Sequence, residues 1–246
     1  MTSKGPPRVS NAPRHGVARV ISKLGLGSRT QAAEWVRAGR VRVNGRVVRD
    51  AELPVRQGLD RIDIDGEQPA PAAHVVLMLN KPRGLVTTTK DEKGRATVYS
   101  CFTDAALPWL APVGRLDKAS EGLLLFSNDP AWAARITDPN SGPAKTYHVQ
   151  IDRLPDAALL AALEHGVFSN GEHLKARSAH CLRSGDKNAW LEIVLEEGRN
   201  RQIRRLLEAL DVSVLRLVRV AVGPLTLGTL AKGQWRMLTQ KEMQSL

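Results

Sequence analysis

Arg115, Asp117 and Glu121 crowd into one short stretch, Gly114-Arg-Leu-Asp-Lys-Ala-Ser-Glu-Gly-Leu-Leu-Leu-Phe-Ser-Asn-Asp129. Leu123 to Phe126 is an unbroken apolar run of strand length and reads as a buried strand. The polar, glycine-bounded residues before it are then a loop at the rim of a core, where a rigid scaffold can hold reactive side chains. A carboxylate in such a place can serve as nucleophile or base. Asp117 and Glu121 together suggest a second chemistry, the paired carboxylates of a glycosidase, but four residues across a loop and strand start assure no particular separation. The plain alternative is that Asp117 only accepts backbone amides in a turn. No metal-ligand cluster, phosphate loop or nucleotide fingerprint accompanies these residues, and no metal is expected.

A second charged stretch, Glu197-Gly-Arg-Asn-Arg-Gln-Ile-Arg-Arg205, opens a helix expected over about 200–210. Ile203, Leu206, Leu207 and Leu210 form its buried stripe. At roughly 100° per residue Arg204 lies about 60° from Leu207, at the edge of that stripe, and Arg201 and Arg205 point further towards solvent. A half-buried arginine needs a partner, and Asp117 is an acid of the right kind. Without one, Arg204 lays its stem along the core and keeps its head in water.

The chain that must position these residues has 246 of them, enough for one large domain or two smaller ones. No apolar run approaches a membrane span, and the polar, proline-containing N-terminus is not a secretory signal. Residues 1–15 read as a disordered basic arm. Two cysteines without metal spacing suit a reducing cytoplasm. The net charge of +11 is unevenly spread. Residues 1–49 hold 11 Lys/Arg against the single acid Glu34, while residues 50–246 hold 25 against 24. A concentrated basic module on a nearly neutral body points to nucleic acid as partner. An acidic membrane surface fits less well, because no amphipathic helix carries large apolar anchors.

Within that module Val17, Val20, Ile21 and Leu24 follow helical spacing, and Ser28-Arg-Thr-Gln31 is a capping box for a helix ending at Gly39. Asn44-Gly45 between two short β runs signals a hairpin, and residues 61–65 alternate as a further strand. Leu24-Gly-Leu-Gly-Ser-Arg-Thr-Gln31 and Val36-Arg-Ala-Gly-Arg-Val-Arg-Val-Asn-Gly45 resemble the S4 RNA-binding domain, over about residues 16–66. That resemblance makes Arg29, Arg37, Arg40 and Arg42 candidate phosphate contacts. A Pro/Ala linker, residues 67–73, separates the module from residues 74–246. There, strands at about 75–79, 123–126, 145–151, 191–195 and 214–222 mix with helices capped by Asp129 and running from Pro155 to His165. The absence of a regular βαβ beat predicts an α+β domain with a mixed, largely antiparallel sheet.

Lys81-Pro-Arg-Gly84, Gly114-Arg-Leu-Asp117, Lys145-Thr-Tyr147 and the 197–205 string follow one another after an S4-like unit. In this order they resemble the ribosomal pseudouridine synthases of the RsuA branch, whose reaction breaks the N1–C1′ bond of a uridine in RNA and rejoins the sugar through C5. The resemblance implies Asp117 as the essential acid, Tyr147 as the aromatic that stacks on the flipped base, and Leu217, or its neighbour Leu215, as the aliphatic wall. It implies Arg204 as the partner of Asp117, since a pocket desolvates a carboxylate and a paired arginine offsets that cost. Lys81, Arg115 and Arg199 join the RNA-binding set. No cofactor is implied, the partner is ribosomal RNA or a ribosomal precursor particle, and a monomer is expected. Ser120-Glu121-Gly122 and Leu230-Ala-Lys-Gly-Gln-Trp235 look closest to a large-subunit subgroup that usually lacks the S4 domain, so a large-subunit uridine is favoured over a small-subunit one. A non-catalytic rRNA-binding or ribosome-assembly protein is the other reading the S4 module supports.

Overall fold

The computed structural model describes residues 13–70, 72–89, 91–103 and 105–246, in two compact units that meet between Ala73 and His74. Most of the basic arm expected over residues 1–15 lies outside the described residues. Its last part is a correction: β1 (Arg14–Gly16) pairs antiparallel with β4 (Pro54–Arg56), because the backbone of residues 14–16 finds ladder partners there.

In the first unit, α1 (Val17–Lys23) packs on α2 (Arg29–Arg37), and β2 (Val41–Val43), β3 (Arg46–Val47) and β5 (Ile62–Ile64) form a sheet of order β3-β2-β5. Both halves of the capping box are present, with Ser28 accepting from the Gln31 amide and Gln31 reaching back. Asn44 and Gly45 both take positive φ, the turn that matches the twist of a two-residue hairpin. Val17, Ile21, Ala32, Val36, Val41 and Val55 fill the core.

The second unit is built on one mixed sheet. Its strands are β6 (Val76–Lys81), β7 (Ala111–Val113), β8 (Glu121–Ser127), β9 (Lys145–Ile151), β12 (Ser178–Ser184), β13 (Ala189–Leu195), β14 (Val214–Val222), β15 (Leu225–Thr226) and β16 (Trp235–Met237). The hairpin β10 (Val167–Ser169) and β11 (Glu172–Leu174) stands apart, and the helices are α3 (Pro130–Thr137), α4 (Ala157–His165), α5 (Gln202–Glu208) and α6 (Gln240–Gln244). The sheet order is β12-β13-β9-β14-β8-β6-β16, with β15 on β14 and β7 on β8. All pairs are antiparallel except β14 with β8, which run parallel through Val218 opposite Glu121 and Arg219 opposite Gly122.

That parallel seam joins two differently covered halves. On β6 and β8, alternate residues enter two cores: Val76, Met78, Leu123 and Leu125 face α3, while Leu77, Leu79, Leu124 and Phe126 face the Tyr99–Phe102 ring cluster. Burial on both faces explains why 123–126 is apolar at every position instead of alternating. On β9 and β13 only one face is sealed, with Val149, Ile151, Leu191 and Ile193 packed beneath α4 and α5, and the strands alternate accordingly. Gly122 closes the seam. Its φ is +101°, and a Cβ there would run into the backbone of Arg219, so only glycine lets the two strands approach.

Candidate active site

Asp117 sits on the loop between β7 and β8, at the end of the parallel seam. Five successive carbonyls of this loop have partners. Thr87 Oγ1 donates to Leu116 O (2.7 Å), Lys81 Nζ to Asp117 O (3.2 Å), the Gly84 amide to Lys118 O (2.8 Å), Arg204 Nη2 to Ala119 O (3.4 Å), and Lys81 Nζ again to Ser120 O (2.8 Å). Leu116 anchors the loop in the core beneath. The backbone is thus tied down at every residue, and the Asp117 carboxylate remains one-third exposed in a cavity of about 740 Å³. Functional side chains are held best when the backbone carrying them is so constrained.

Tyr147 and Leu217 are among the apolar residues that line the cavity. They lie on the adjacent strands β9 and β14, where Tyr147 pairs with Arg219 and Leu217 with Val149. Of the two leucines expected for the aliphatic wall, Leu217 lines the cavity and is 5% exposed, whereas Leu215 is 42% exposed and lies outside it. Arg115 stands exposed at the rim, and Arg199 lines the cavity while bonded to Glu197 (2.9 Å) and near Glu172.

The cations differ from expectation in four places. Arg201, expected to face solvent, stands 3.5 Å from the Asp117 carboxylate. It has a left-handed backbone (φ 49°) and precedes α5, which begins at Gln202 and not at about residue 200, so the helical wheel never applied to it. Arg204, the expected partner, instead directs its guanidinium to the carbonyls of Val214 and Ala119, both at 3.4 Å, and its buried Nε has no partner. Burial and the charge of Arg201 pull it below the usual arginine value, and Asp117 opposes that pull. Arg205 turns inward as well, to Glu172 and the Ser169 carbonyl at 2.6 Å each.

Lys81 is the fourth correction. It is fully buried and does not line the cavity, so it is no contact for RNA. Its ammonium donates to three carbonyls, those of Pro82, Asp117 and Ser120, and burial pushes its pKa down to about 8. A lysine at the end of an apolar strand gave no sign in the sequence that its head turns inward.

Glu121 is excluded as a second working carboxylate. It is buried, lies outside the cavity, and both oxygens are engaged by Arg216 (2.8 and 3.0 Å) and Lys232 (2.6 Å). Burial works against its ionised form, yet these two cations hold it below the ordinary glutamate value. Glu197 does reach the cavity but is held by Arg199 and Gln202. What remains is one aspartate that shares its cavity with Tyr147, Leu217 and several arginines, of which Arg201 forms an ion pair with its carboxylate. No group of acids, histidines and cysteines suited to a metal occurs among the described residues.

In the first unit, Arg29 pairs with Glu52 (2.7 Å), Arg40 with Asp65, and Arg42 donates to the Gly45 carbonyl (3.3 Å). Arg37 is exposed and has no acidic partner among the described residues.

Sequence profiles match this architecture: the RNA pseudouridylate synthase family over residues 75–209 and the S4 domain over residues 17–60. The chain belongs to the RNA pseudouridylate synthases. It is 35% identical to the "ribosomal large subunit pseudouridine synthase B" of Bacillus subtilis (strain 168), over 93% of each chain. It is 34% identical to an RNA pseudouridine synthase of Aquifex aeolicus (strain VF5), over 94% of this chain and 92% of the other. A crystal structure of a pseudouridylate synthase, 30% identical, superposes with a TM-score of 0.66 over 95% of this chain and 99% of that one. As a pseudouridine synthase carrying an S4 domain, the chain is an isomerase, and the readings as a purely binding protein or a glycosidase fall away. No described helix is long and apolar enough to cross a membrane.

Proposed function

We propose that this pseudouridine synthase acts on a uridine of ribosomal RNA, in the large subunit and not the small, with Asp117 as the group that acts on the nucleotide. One observation carries the role of Asp117: its carboxylate enters the cavity beside Tyr147 from a loop whose carbonyls are bonded one after another. The relative from Bacillus subtilis named for the large ribosomal subunit supports the choice of substrate, as does the Ser120-Glu121-Gly122 sequence.

A uridine drawn out of its stack loses a few kcal/mol, and the Tyr147 ring returns part of that by stacking on the base. Asp117 then meets the nucleotide as nucleophile or as base, the N1–C1′ bond breaks, the base turns, and C5 bonds to C1′. The C5 proton is lost at the end and N1, freed from the sugar, gains one, so the product is an isomer of the substrate. Arg201 and Arg204 supply positive charge on the side of the Asp117 carboxylate. Leu217 keeps the base against the ring. The S4 unit supplies a separate, sequence-independent hold on the RNA backbone, and the chain works as a monomer.

Asp117→Asn is nearly isosteric. It should abolish pseudouridine formation on unmodified rRNA while thermal melting and RNA binding stay near wild type. Full activity in the folded variant would refute the assignment. Pseudouridine mapping of rRNA from cells with and without the gene tests the substrate, and loss of a modification from 16S rRNA would reverse the choice of subunit.

A further inference from the structure

Lys145 belongs to the motif that also carries Tyr147, yet the reading above gives it no task. It is 9% exposed on β9, two residues from Tyr147 and on the same face, a step of about 7 Å along the strand. Arg219, on the neighbouring strand β14, is 7% exposed. Both line the cavity that holds Asp117. The Arg219 Nε donates to the Leu123 carbonyl (2.7 Å), which fixes the side chain across the seam. Among the described residues neither makes an ion pair, and Lys145 has no hydrogen bond from its ammonium. Burial, and then the charge of Arg219, pull Lys145 below the ordinary lysine value, and no acid offsets them.

Two buried, adjacent cations without a counter-charge are costly. Where they line an open cavity, an anion from outside is the natural complement. We propose that Lys145 and Arg219 form a phosphate subsite, which takes a backbone phosphate of the RNA when its base lies on Tyr147. This rests on RNA entering the cavity, as proposed above. The step from Tyr147 to Lys145 is on the order of the reach from a base to the phosphates of its own nucleotide. The subsite therefore fixes the sugar between a stacked base and a held phosphate, and so presents C1′ to Asp117.

The test uses the full chain with an unmodified large-subunit rRNA transcript, and reads equilibrium binding across a series of potassium chloride concentrations, which needs no turnover. Lys145→Met and Arg219→Gln should each weaken binding about five- to tenfold at low salt. Each should also make the slope of log K against log salt shallower by about 0.7, the loss of one neutralised phosphate on a single strand. Lys145→Arg should restore both, and melting temperatures should stay within a few degrees of wild type. A second arm compares melting of the wild type in inorganic phosphate and in chloride at equal ionic strength. Stabilisation by phosphate that Lys145→Met abolishes, together with the altered RNA slope, shows a general phosphate site. An altered slope without stabilisation restricts the site to RNA. Phosphate stabilisation with an unchanged RNA slope would overturn the proposal, as would unchanged binding by either folded variant. Failure of both variants to fold would assign the pair to the core and overturn it equally. A wild type that binds the transcript but isomerises no rRNA would instead refute the function proposed above and leave the binding slopes readable.

Discussion

Lys81→Met separates a contact for RNA from a support for the catalytic loop. The substitution removes ammonium bonds of 3.1, 3.2 and 2.8 Å to the carbonyls of Pro82, Asp117 and Ser120. A buried carbonyl short of a partner costs about 1–3 kcal/mol; the Ser120 amide still donates to the Asp117 carbonyl (3.0 Å), so the two left short, those of Pro82 and Ser120, cost roughly 2–6 kcal/mol. Against this, methionine relieves the charge burial that draws the lysine down to about 8, worth no more than about 3 kcal/mol. The balance is a loss of about 0–3 kcal/mol and a melting temperature lower by roughly 5 °C, which a chain of this size tolerates. The loop, however, loses both bonds from the Lys81 ammonium, leaving the Ser120 carbonyl without its anchor and the Asp117 carbonyl with only the Ser120 amide. A misplacement of about 1 Å at a reacting group costs about 100-fold in rate. Single-turnover pseudouridine formation should therefore fall about 100-fold, with RNA affinity within about twofold of wild type, because Lys81 does not reach the cavity. A wild-type rate would refute the support role. A loss of affinity matching that of an exposed arginine would restore Lys81 as a phosphate contact.

The remaining predictions concern pH, the seam, the S4 surface and Glu121. The folded-state pKa of Lys81, about 8, lies below its ordinary value, so above pH 8 the unfolded chain holds the extra proton. Wild-type stability relative to Lys81→Met should then rise with pH from about 8 towards the ordinary lysine range, and a flat difference in melting temperature would contradict this. Gly122→Ala must hold a positive φ against the Arg219 backbone and should cost about 3–5 kcal/mol, lowering the melting temperature on the order of 10 °C. Arg37→Gln should reduce RNA affinity and its salt slope more than Arg40→Gln, because Arg40 is already neutralised by Asp65; equal losses in filter binding would count against this. Glu121→Gln should lower the melting temperature by several degrees yet leave turnover on rRNA largely intact at a permissive temperature, since its carboxylate serves Arg216 and Lys232 outside the cavity.

Local rules were enough for much of this molecule. Ser28 and Gln31 cap a helix from within four residues, Asn44-Gly45 closes a hairpin from within two, and Asp129 with Pro130 starts α3, because each depends on backbone groups only a few bonds away. The 123–126 strand was legible because burial on both faces leaves no polar position to interrupt it. Asp117 and Tyr147 stood out through their motifs, and the fold brings both to one cavity. The charged side chains around them were another matter. An arginine or lysine carries its charge several bonds from its own backbone, so its partner is set by whatever strand or loop the tertiary fold delivers to that point. Arg201 reached Asp117 only because the chain turned left-handed before α5. Lys81 turned inward because the Asp117 loop brought it carbonyls from residues 117 and 120, and Lys145 came within reach of the Arg219 charge only once β9 and β14 had paired. Residue types and local order belonged to the sequence, whereas the counter-charge of each cation was decided by contacts between segments far apart along the chain.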